Sequence, residues 1–222
     1  MTTLTIDVVS DVVCPWCFIG KRHLDRALQL WHAEQPQCAV AVRWHPFFLN
    51  PDMAEGGEPY RPFLEKKFGG PEKLAEIWQR LTAAGTAAGI AFAFEKIGLR
   101  VNTLHAHRLI HHAQQTGRDA AAVSRLIEGL FAAQFLEGRN LGERAVLATV
   151  AGECGMDRDA VQRYLDSAED ADGVGAAAAE MPRIGIGGVP CFIFNKRLAA
   201  SGAQPPEALL KAMREAAQSQ PT

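Results

Sequence analysis

Two cysteines stand three positions apart near the start of the chain, in the motif Cys14-Pro15-Trp16-Cys17. Thiols at this spacing can form and break one disulfide bond, or supply two ligands to a metal ion. The other cysteines are scattered, at positions 38, 154 and 191. An odd and sparse set of cysteines is not typical of a disulfide-stapled secreted domain, so chemistry at the close pair is the leading hypothesis.

The residues around the pair indicate which thiol reacts. The motif follows a β-branched run from Leu4 to Val9 and precedes apolar residues at helical spacing, so we predict that it joins a strand to a helix. Pro15 suits the first helical position, which places Cys14 at the cap, facing unpaired main-chain N–H groups. These groups and the helix dipole favour a thiolate. Cys14 is therefore the predicted nucleophile, and Cys17 the thiol that resolves a mixed disulfide.

The two ends of the chain carry the strand patterns. Runs from Leu4 to Val9 and from Ala39 to His45 flank a helical pattern, which predicts a βαβ unit with parallel strands. Near the other end, Val189 to Asn195 and Arg197 to Ala200 predict a hairpin, followed by a helix from Pro205-Pro206 through Arg214. Both units are too small to stand alone, so we predict that they form one α/β core.

The middle of the chain has a different texture. From about Tyr60 to Met181 it is rich in alanine, periodic in the manner of helices and punctuated by glycines, with one strand-like interruption from Ile90 to Phe94. We therefore predict a discontinuous α/β domain formed by residues 1–59 and 183–222, and a helical insertion formed by residues 60–182.

Composition and charge exclude several classes of function. The chain has 222 residues, 48% of them hydrophobic, and a formal net charge of −2, which offers no large field to attract nucleic acid or an anionic membrane. No apolar run approaches the roughly 20 residues that a membrane crossing needs. The N-terminal residues show no export signal. We therefore expect a cytoplasmic protein that binds neither nucleic acid nor membrane.

Stretches along nearly the whole chain resemble the DsbA-like branch of the thioredoxin superfamily, in particular the FrnE-type dithiol oxidoreductases. They are Asp11 to Cys17 with Ile19-Gly20, Trp44 to Phe47 with Leu49-Asn50-Pro51, Asn102-Thr103 with Ala106 to Leu109, Phe135 with Glu137-Gly138, Gly188-Val189-Pro190, and Gly202-Ala203-Gln204. The resemblance implies an α/β thioredoxin fold with a large all-helical insertion. It also implies a disulfide reductase, isomerase or oxidase that acts through a mixed disulfide at Cys14.

The same resemblance implies the partners. Substrates would be proteins or small molecules that carry a disulfide or a thiol, no cofactor would be bound, and glutathione is a candidate reductant. Monomer and homodimer both stay open. A cytosolic redox poise favours the reduced enzyme, and hence reductase or isomerase work.

The resemblance also assigns roles around the cysteines. Val189-Pro190 occupies the place of a cis-proline bond, which would leave the Val189 main chain free to pair with an extended substrate. Pro15 and Trp16 would contact the substrate as part of an apolar lip. Asn102 and His107 are hypothesised to line the same groove.

Two acidic residues and a third cysteine need separate interpretation. The resemblance makes Asp7 a candidate proton relay for Cys17, because related enzymes often keep an acidic group beneath the resolving cysteine. Its spacing to Cys14 is one residue longer than the resemblance implies, so a solvated aspartate at the strand end is an equal alternative. Asp11 caps the helix or shapes the preceding loop, and no catalytic role is assigned to it. Cys191 stands where an aromatic residue is expected, either as a third sulfur near the pair or, with more weight, as a small buried hydrophobe.

Two other functions compete with dithiol exchange. The chain also resembles glutathione-dependent kappa-class transferases and 2-hydroxychromene-2-carboxylate isomerases, but these generally carry serine where Cys14 stands. A metal module would need more ligands than Cys14 and Cys17. No second C-x-x-C follows, and His107 with His111 has helical ligand spacing without an acidic partner nearby in sequence. We therefore predict no metal site.

Overall fold

A computed structural model describes residues 3–218. Strands from both ends of this range form one mixed β-sheet. The strands of the described residues are β1 (Thr3–Ser10), β2 (Ala39–Pro46), β3 (Glu58–Pro59), β4 (Leu99–Arg100), β5 (Cys191–Phe194) and β6 (Leu198–Ser201). The α-helices are α1 (Pro15–Glu34), α2 (Tyr60–Phe68), α3 (Pro71–Ala87), α4 (Leu104–Gln115), α5 (Ala120–Ala132), α6 (Arg144–Glu153), α7 (Arg158–Asp166), α8 (Ala171–Arg183) and α9 (Pro206–Gln218).

The main sheet has the strand order β2-β1-β5-β6. Strands β1 and β2 are parallel and joined by α1, which confirms the predicted βαβ unit. Strands β5 and β6 form the predicted antiparallel hairpin. Three residues lie between the paired Phe194 and Leu198, and two of them, Asn195 and Lys196, have positive φ values of 48° and 56°. The N–H of Arg197 donates to Phe194 O at 3.0 Å and closes the turn. The final helix continues past Arg214 to Gln218.

One face of this sheet packs against α1 and α9. Val8 lies opposite Trp44 on β2 and Phe192 on β5, so the three side chains share this face. They meet Trp31 of α1 and Met213 of α9 in an apolar core. The sheet thus holds the long helix that begins with Pro15.

The first turns of α1 also belong to a second core, built mainly by the helices between the two sheet segments. Phe18 of α1 stacks on Phe131 with ring centroids 5.1 Å apart, and lies 6.4 Å from Phe135. Lys21 pairs with Glu128 of α5 at 2.8 Å. The motif therefore lies where the sheet layer meets the helical segment.

The apolar run from Ile90 to Phe94 is not a strand, contrary to the pattern of its sequence. It is irregular and leads into a 3₁₀ turn, Phe94–Lys96. Phe94 stacks on Trp78 with ring centroids 5.5 Å apart and contacts Phe135 edge-on, so the run fills the helical core. The short strand that follows it is β4, paired with β3.

Within residues 3–218, no helix combines the length and apolar character that a bilayer crossing requires.

Candidate active site

Cys14 occupies the cap of α1, with Pro15 as the first helical residue. Its main-chain N–H donates to Asp11 O at 3.0 Å, and its own carbonyl accepts the N–H of Cys17 at 3.0 Å. The turn from Asp11 to Cys14 therefore fixes the sulfur at the helix N-terminus, as the sequence predicts. Both cysteines are free thiols in this structure.

The loop before β5 faces Cys14. The peptide bond between Val189 and Pro190 is cis, as the family resemblance implies. Cys14 Sγ lies 3.8 Å from Val189 O. Trp16 is 43% exposed, and Pro15 and Val189 are half-buried, so these three residues form accessible surface around the sulfur. Their contact with substrate stays a prediction.

Gly20 brings α1 against this proline. A Cβ atom at Gly20 would lie 3.0 Å from Pro190 Cγ and 3.1 Å from Phe192 Cζ, closer than ordinary van der Waals contact. Pro190 O accepts the N–H of Gly202 at 2.8 Å, which holds the loop from the other side. Helix and hairpin thus confine Pro190 between them.

We expect Gly20→Ala to lower the free energy of unfolding by about 1 kcal/mol or more, because overpacking outweighs the gain in helix propensity. A displaced Pro190 should also slow thiol exchange. The matched control is Gly175→Ala in α8, where nothing lies within 4 Å of the added Cβ and we expect a gain of about 0.5–1 kcal/mol. Denaturant unfolding measures both. Equal stabilisation by the two substitutions would show that Gly20 does not set this contact.

Cys14 is buried, with 5% of its surface exposed, and Cys17 lies deeper. It is 1% exposed, and burial raises the pKa of its thiol well above the ordinary value. The neighbouring Cys14 raises the same pKa further, through a hydrogen bond and its charge. Hydrogen bonds from the Ser10 hydroxyl and the Asp11 main chain to the Cys17 sulfur lower this pKa, but by less than the other effects raise it. Cys17 is therefore held as a thiol in neutral solution.

Asp11 is a buried carboxylate, which the sequence does not reveal. It is fully buried and does not cap α1; one oxygen accepts the N–H of Leu49 at 2.8 Å, and the other lies 3.3 Å from His107 Nε2. His107 is itself buried and forms a pair with Asp11 beside the motif; its place in a substrate groove stays a prediction. Ninety-six residues separate the two partners, and no local pattern indicates the contact.

Asp7, the candidate relay, pairs with a different histidine. Asp7 Oδ1 lies 2.7 Å from His45 Nε2 on the adjacent strand β2. The groups that shift the pKa of Cys17 are Cys14, Ser10 and Asp11. Asp11 is thus the acidic residue whose main chain reaches the resolving sulfur, and a relay through Asp7 stays a prediction.

Asn102 ties the segment after β2 to the start of α4. Its amide nitrogen donates to Met53 O at 2.7 Å, and its amide oxygen accepts the N–H of Leu104 at 2.9 Å. These bonds give Asn102 a structural task; a contact with substrate stays a prediction.

Cys191 points to the side of the sheet away from α1. Its neighbour Phe192 faces α1, and successive strand residues point to opposite faces. Burial raises the pKa of the Cys191 thiol, and Ser201 on the paired strand lowers it. The geometry favours the interpretation of Cys191 as a small buried residue.

His107 and His111, the two histidines of α4 at helical ligand spacing, lie near acidic residues of other elements. His107 contacts Asp11, and His111 Nε2 lies 3.9 Å from Asp170 Oδ1. Among residues 3–218, no three or more histidine, cysteine or acidic side chains converge as a metal site would require.

The chain has the features of a thioredoxin fold with a helical insertion. They are a cysteine pair at a helix N-terminus, a cis-proline that faces it, and a mixed sheet with the strand order β2-β1-β5-β6. The model of the DSBA-like thioredoxin domain matches residues 5–214. The chain therefore belongs to the DsbA-like thiol oxidoreductase family, and the predicted fold class is confirmed.

Solved structures agree with this assignment. A probable DsbA oxidoreductase from Streptomyces coelicolor, SCO1869, is 27% identical, with a TM-score of 0.85 over 99% of this chain and 92% of that one. The cytosolic disulfide reductase DsbM from Pseudomonas aeruginosa, solved with GSH, is 18% identical, with a TM-score of 0.63 over 96% of each chain. A 2-hydroxychromene-2-carboxylate isomerase is 17% identical, with a TM-score of 0.66 over 95% of each. The last two similarities show the fold alone.

Proposed function

We propose that this protein is a thiol–disulfide oxidoreductase that works through a mixed disulfide at Cys14. The observation that carries the proposal is the asymmetry of the pair. Both sulfurs are buried, but Cys14 stands at a helix N-terminus beside Val189 O, whereas the deeper Cys17 thiol has a pKa raised by burial and by its neighbour Cys14. The thiol that attacks and the thiol that resolves are thereby different residues.

In the reducing direction, the Cys14 thiolate attacks a substrate disulfide, and one substrate sulfur leaves as a thiolate that takes up a proton. Cys17 then loses its proton and attacks Cys14 Sγ, which releases the second substrate sulfur. The substrate gains two electrons and two protons, and the protein is left with a Cys14–Cys17 disulfide. Oxidase work is the same sequence reversed.

We assign the protein to the reducing or isomerising direction in a cytoplasmic setting, with glutathione as the reductant that resets it. Disulfides in that compartment are kept reduced, which favours reductive or isomerising work. DsbM, which has the same fold, is described as a cytosolic disulfide reductase and was solved with GSH, which makes glutathione the first reductant to test.

Substrate would lie between the two parts of the chain that we distinguish, residues 1–59 with 183–222, and residues 60–182. Trp16 and Val189 come from the first part and border Cys14. Tyr60 comes from the second and packs against the apolar cluster that contains Cys14. Burial, and then the charge of Cys14, raises the pKa of the Tyr60 phenol. Both parts therefore face the reactive sulfur.

The test is reduction of insulin by the purified protein with glutathione as electron source, followed by turbidity. We expect wild type and the control Cys154→Ser to be active, because Cys154 lies on the helical segment outside the motif. Oxidised protein should lose two thiols together and form one bond between Cys14 and Cys17, read by peptide mapping. A protein that forms no such bond would exclude the proposed function.

A further inference from the structure

A cavity of about 70 Å³ lies beside the loop that precedes the motif, where Ser10 and Val12 line it. Its polar lining is Ser10, His45, His107 and His111, and its remaining walls are mainly apolar, from β2, α4, α5 and α8. A space of this volume, with several polar partners, holds a few water molecules. Ser10, whose hydroxyl acts on the Cys17 sulfur, joins this space to the resolving thiol.

The proposed function creates a need for such a space. Cys17 attacks only as a thiolate, so its proton must leave before each resolving step. The sulfur is buried in an apolar core, and its other close partner, Cys14, is at that moment bonded to substrate. Ser10 and the Asp11 main chain are the polar groups that remain beside the sulfur.

Among the histidines of the cavity, His107 is distinguished by burial. Its side chain is 4% exposed, against 35% for His45 and 38% for His111. Its partner Asp11 is fully buried and belongs to the loop that presents Cys14, whereas the partner of His45 is Asp7 on β1. A buried carboxylate on Nε2 orients the ring and stabilises the imidazolium that forms when the ring takes up a proton.

We propose that His107, oriented by Asp11, is the base that receives the proton of Cys17 through the Ser10 hydroxyl and water in this cavity. The inference rests on the proposed function. In the step, the S–H bond of Cys17 breaks, and a proton passes by way of Ser10 and water to the His107 ring. The sulfur attacks Cys14 Sγ, the bond between Cys14 and the substrate breaks, and the substrate leaves as a thiolate. The imidazolium then returns its proton to solvent.

The charged and titratable groups that face His107 or the cavity come from several elements. They are Asp7 on β1, Asp11 in the motif loop, His45 on β2, His111 on α4, and Asp170 before α8, which pairs with His111. The walls from α5 and α8 contribute apolar residues. Of the carboxylates, Asp11 is the one that contacts His107.

The test separates attack by Cys14 from resolution by Cys17. Reduced protein is mixed with 5,5′-dithiobis(2-nitrobenzoate), which releases one coloured thiolate when Cys14 attacks and a second when Cys17 resolves. The first phase scales with reagent concentration, and the second does not. All variants carry Cys38→Ala and Cys154→Ala, because these partly exposed thiols would also react. Both phases are followed by stopped flow from about pH 5 to pH 8.

The key variant is His107→Gln, whose amide nitrogen can keep the bond to Asp11 but cannot take up a proton. We expect the rate of the first phase to be unchanged and the rate of the second phase to be at least tenfold lower at pH 7. The second rate should also fall about tenfold for each unit by which the pH is lowered, since the raised pKa of Cys17 then sets the fraction of reactive thiolate. The parent should show a flatter profile. The matched control is His112→Gln on the same helix, because His112 stacks on Tyr164 and does not line the cavity.

Each outcome decides something. A parental protein without a second phase would exclude the proposed function itself, because Cys17 would not resolve. A normal second phase in both the parent and His107→Gln, with the same pH profile, would overturn only the role of His107. If His107→Gln does not fold, Ser10→Ala gives the decision: a slower second phase supports the route, and an unchanged one refutes it.

Discussion

Cys17→Ala should hold substrates on Cys14 as mixed disulfides, and its turnover of insulin should fall by a factor on the order of 10³ or more, as removal of one member of a catalytic unit commonly causes. The reason is geometric. Cys14 keeps its place at the helix cap beside Val189 O, so it still attacks, but the buried sulfur that would release the product is gone. Cys14→Ser should lose turnover to the same degree and trap nothing.

The measurement is a pull-down of tagged Cys17→Ala from cell extract, separated without reductant and then identified by mass spectrometry after reduction. Cys17→Ala/Cys14→Ser is the matched control, since any protein it captures must be bound elsewhere, for instance to the partly exposed Cys38 or Cys154. Equal capture by both variants would remove Cys14 from the mechanism. Turnover of a small aromatic substrate that survives Cys17→Ala would instead favour the glutathione-dependent isomerase or transferase.

The parts of the fold that could be predicted are those specified by neighbouring residues. Pro15 starts α1, Asn195-Lys196 turn the hairpin, and Cys14 takes the cap, because each effect acts within a few residues of the chain. The run from Ile90 to Phe94 was predicted wrongly for the complementary reason. Its apolar residues pack into the helical core, where Phe94 stacks on Trp78 and contacts Phe135 edge-on, and neither partner is a near neighbour in sequence.

The candidate site shows the same division. The nucleophile and the proline that faces it follow from a motif and a family resemblance. The Asp11–His107 pair could not be predicted in this way, because an aspartate in a loop before a helix resembles an ordinary N-cap residue. Only the packing of α4 against the motif loop turns Asp11 into a buried carboxylate with a histidine partner. Asp7 lies on a strand, and that strand turns its side chain towards His45, a partner 38 positions away that no local pattern indicates.

Arg108 makes buried contacts that no local sequence pattern indicates. The side chain extends from α4 and is fully buried. Its guanidinium donates to four main-chain carbonyls at and just beyond the end of α7, with distances from 2.8 to 3.1 Å; the acceptors are Tyr164, Leu165, Ser167 and Glu169. The last carbonyls of a helix have no partner within the helix, so one side chain from α4 satisfies the end of another helix.

We therefore expect Arg108→Met to lower the free energy of unfolding by about 3–5 kcal/mol, because it leaves several buried carbonyls without donors. In a chain of this size the loss corresponds to a Tm lower by roughly 10 °C, which differential scanning calorimetry measures. The stability of Arg108→Lys should lie between that of the wild type and that of Arg108→Met. An ammonium group keeps the charge but cannot reach four carbonyls in the planar arrangement of a guanidinium.

The control is Arg118→Met, because Arg118 makes one long bond of 3.4 Å to Gly155 O at an exposed position and should cost no more than about 0.5 kcal/mol. A second observable comes from His105, whose ring contacts the same guanidinium. The pKa of His105 is lowered by burial first, then by Arg144 and Arg108, so NMR titration of Arg108→Met should show that pKa moving upward. Similar losses of Tm in Arg108→Met and Arg118→Met, with His105 unchanged, would mean that the end of α7 finds other donors. The structure leads us to expect the opposite, because the carbonyls that Arg108 serves lie on a buried junction between α4 and α7, where water has little access.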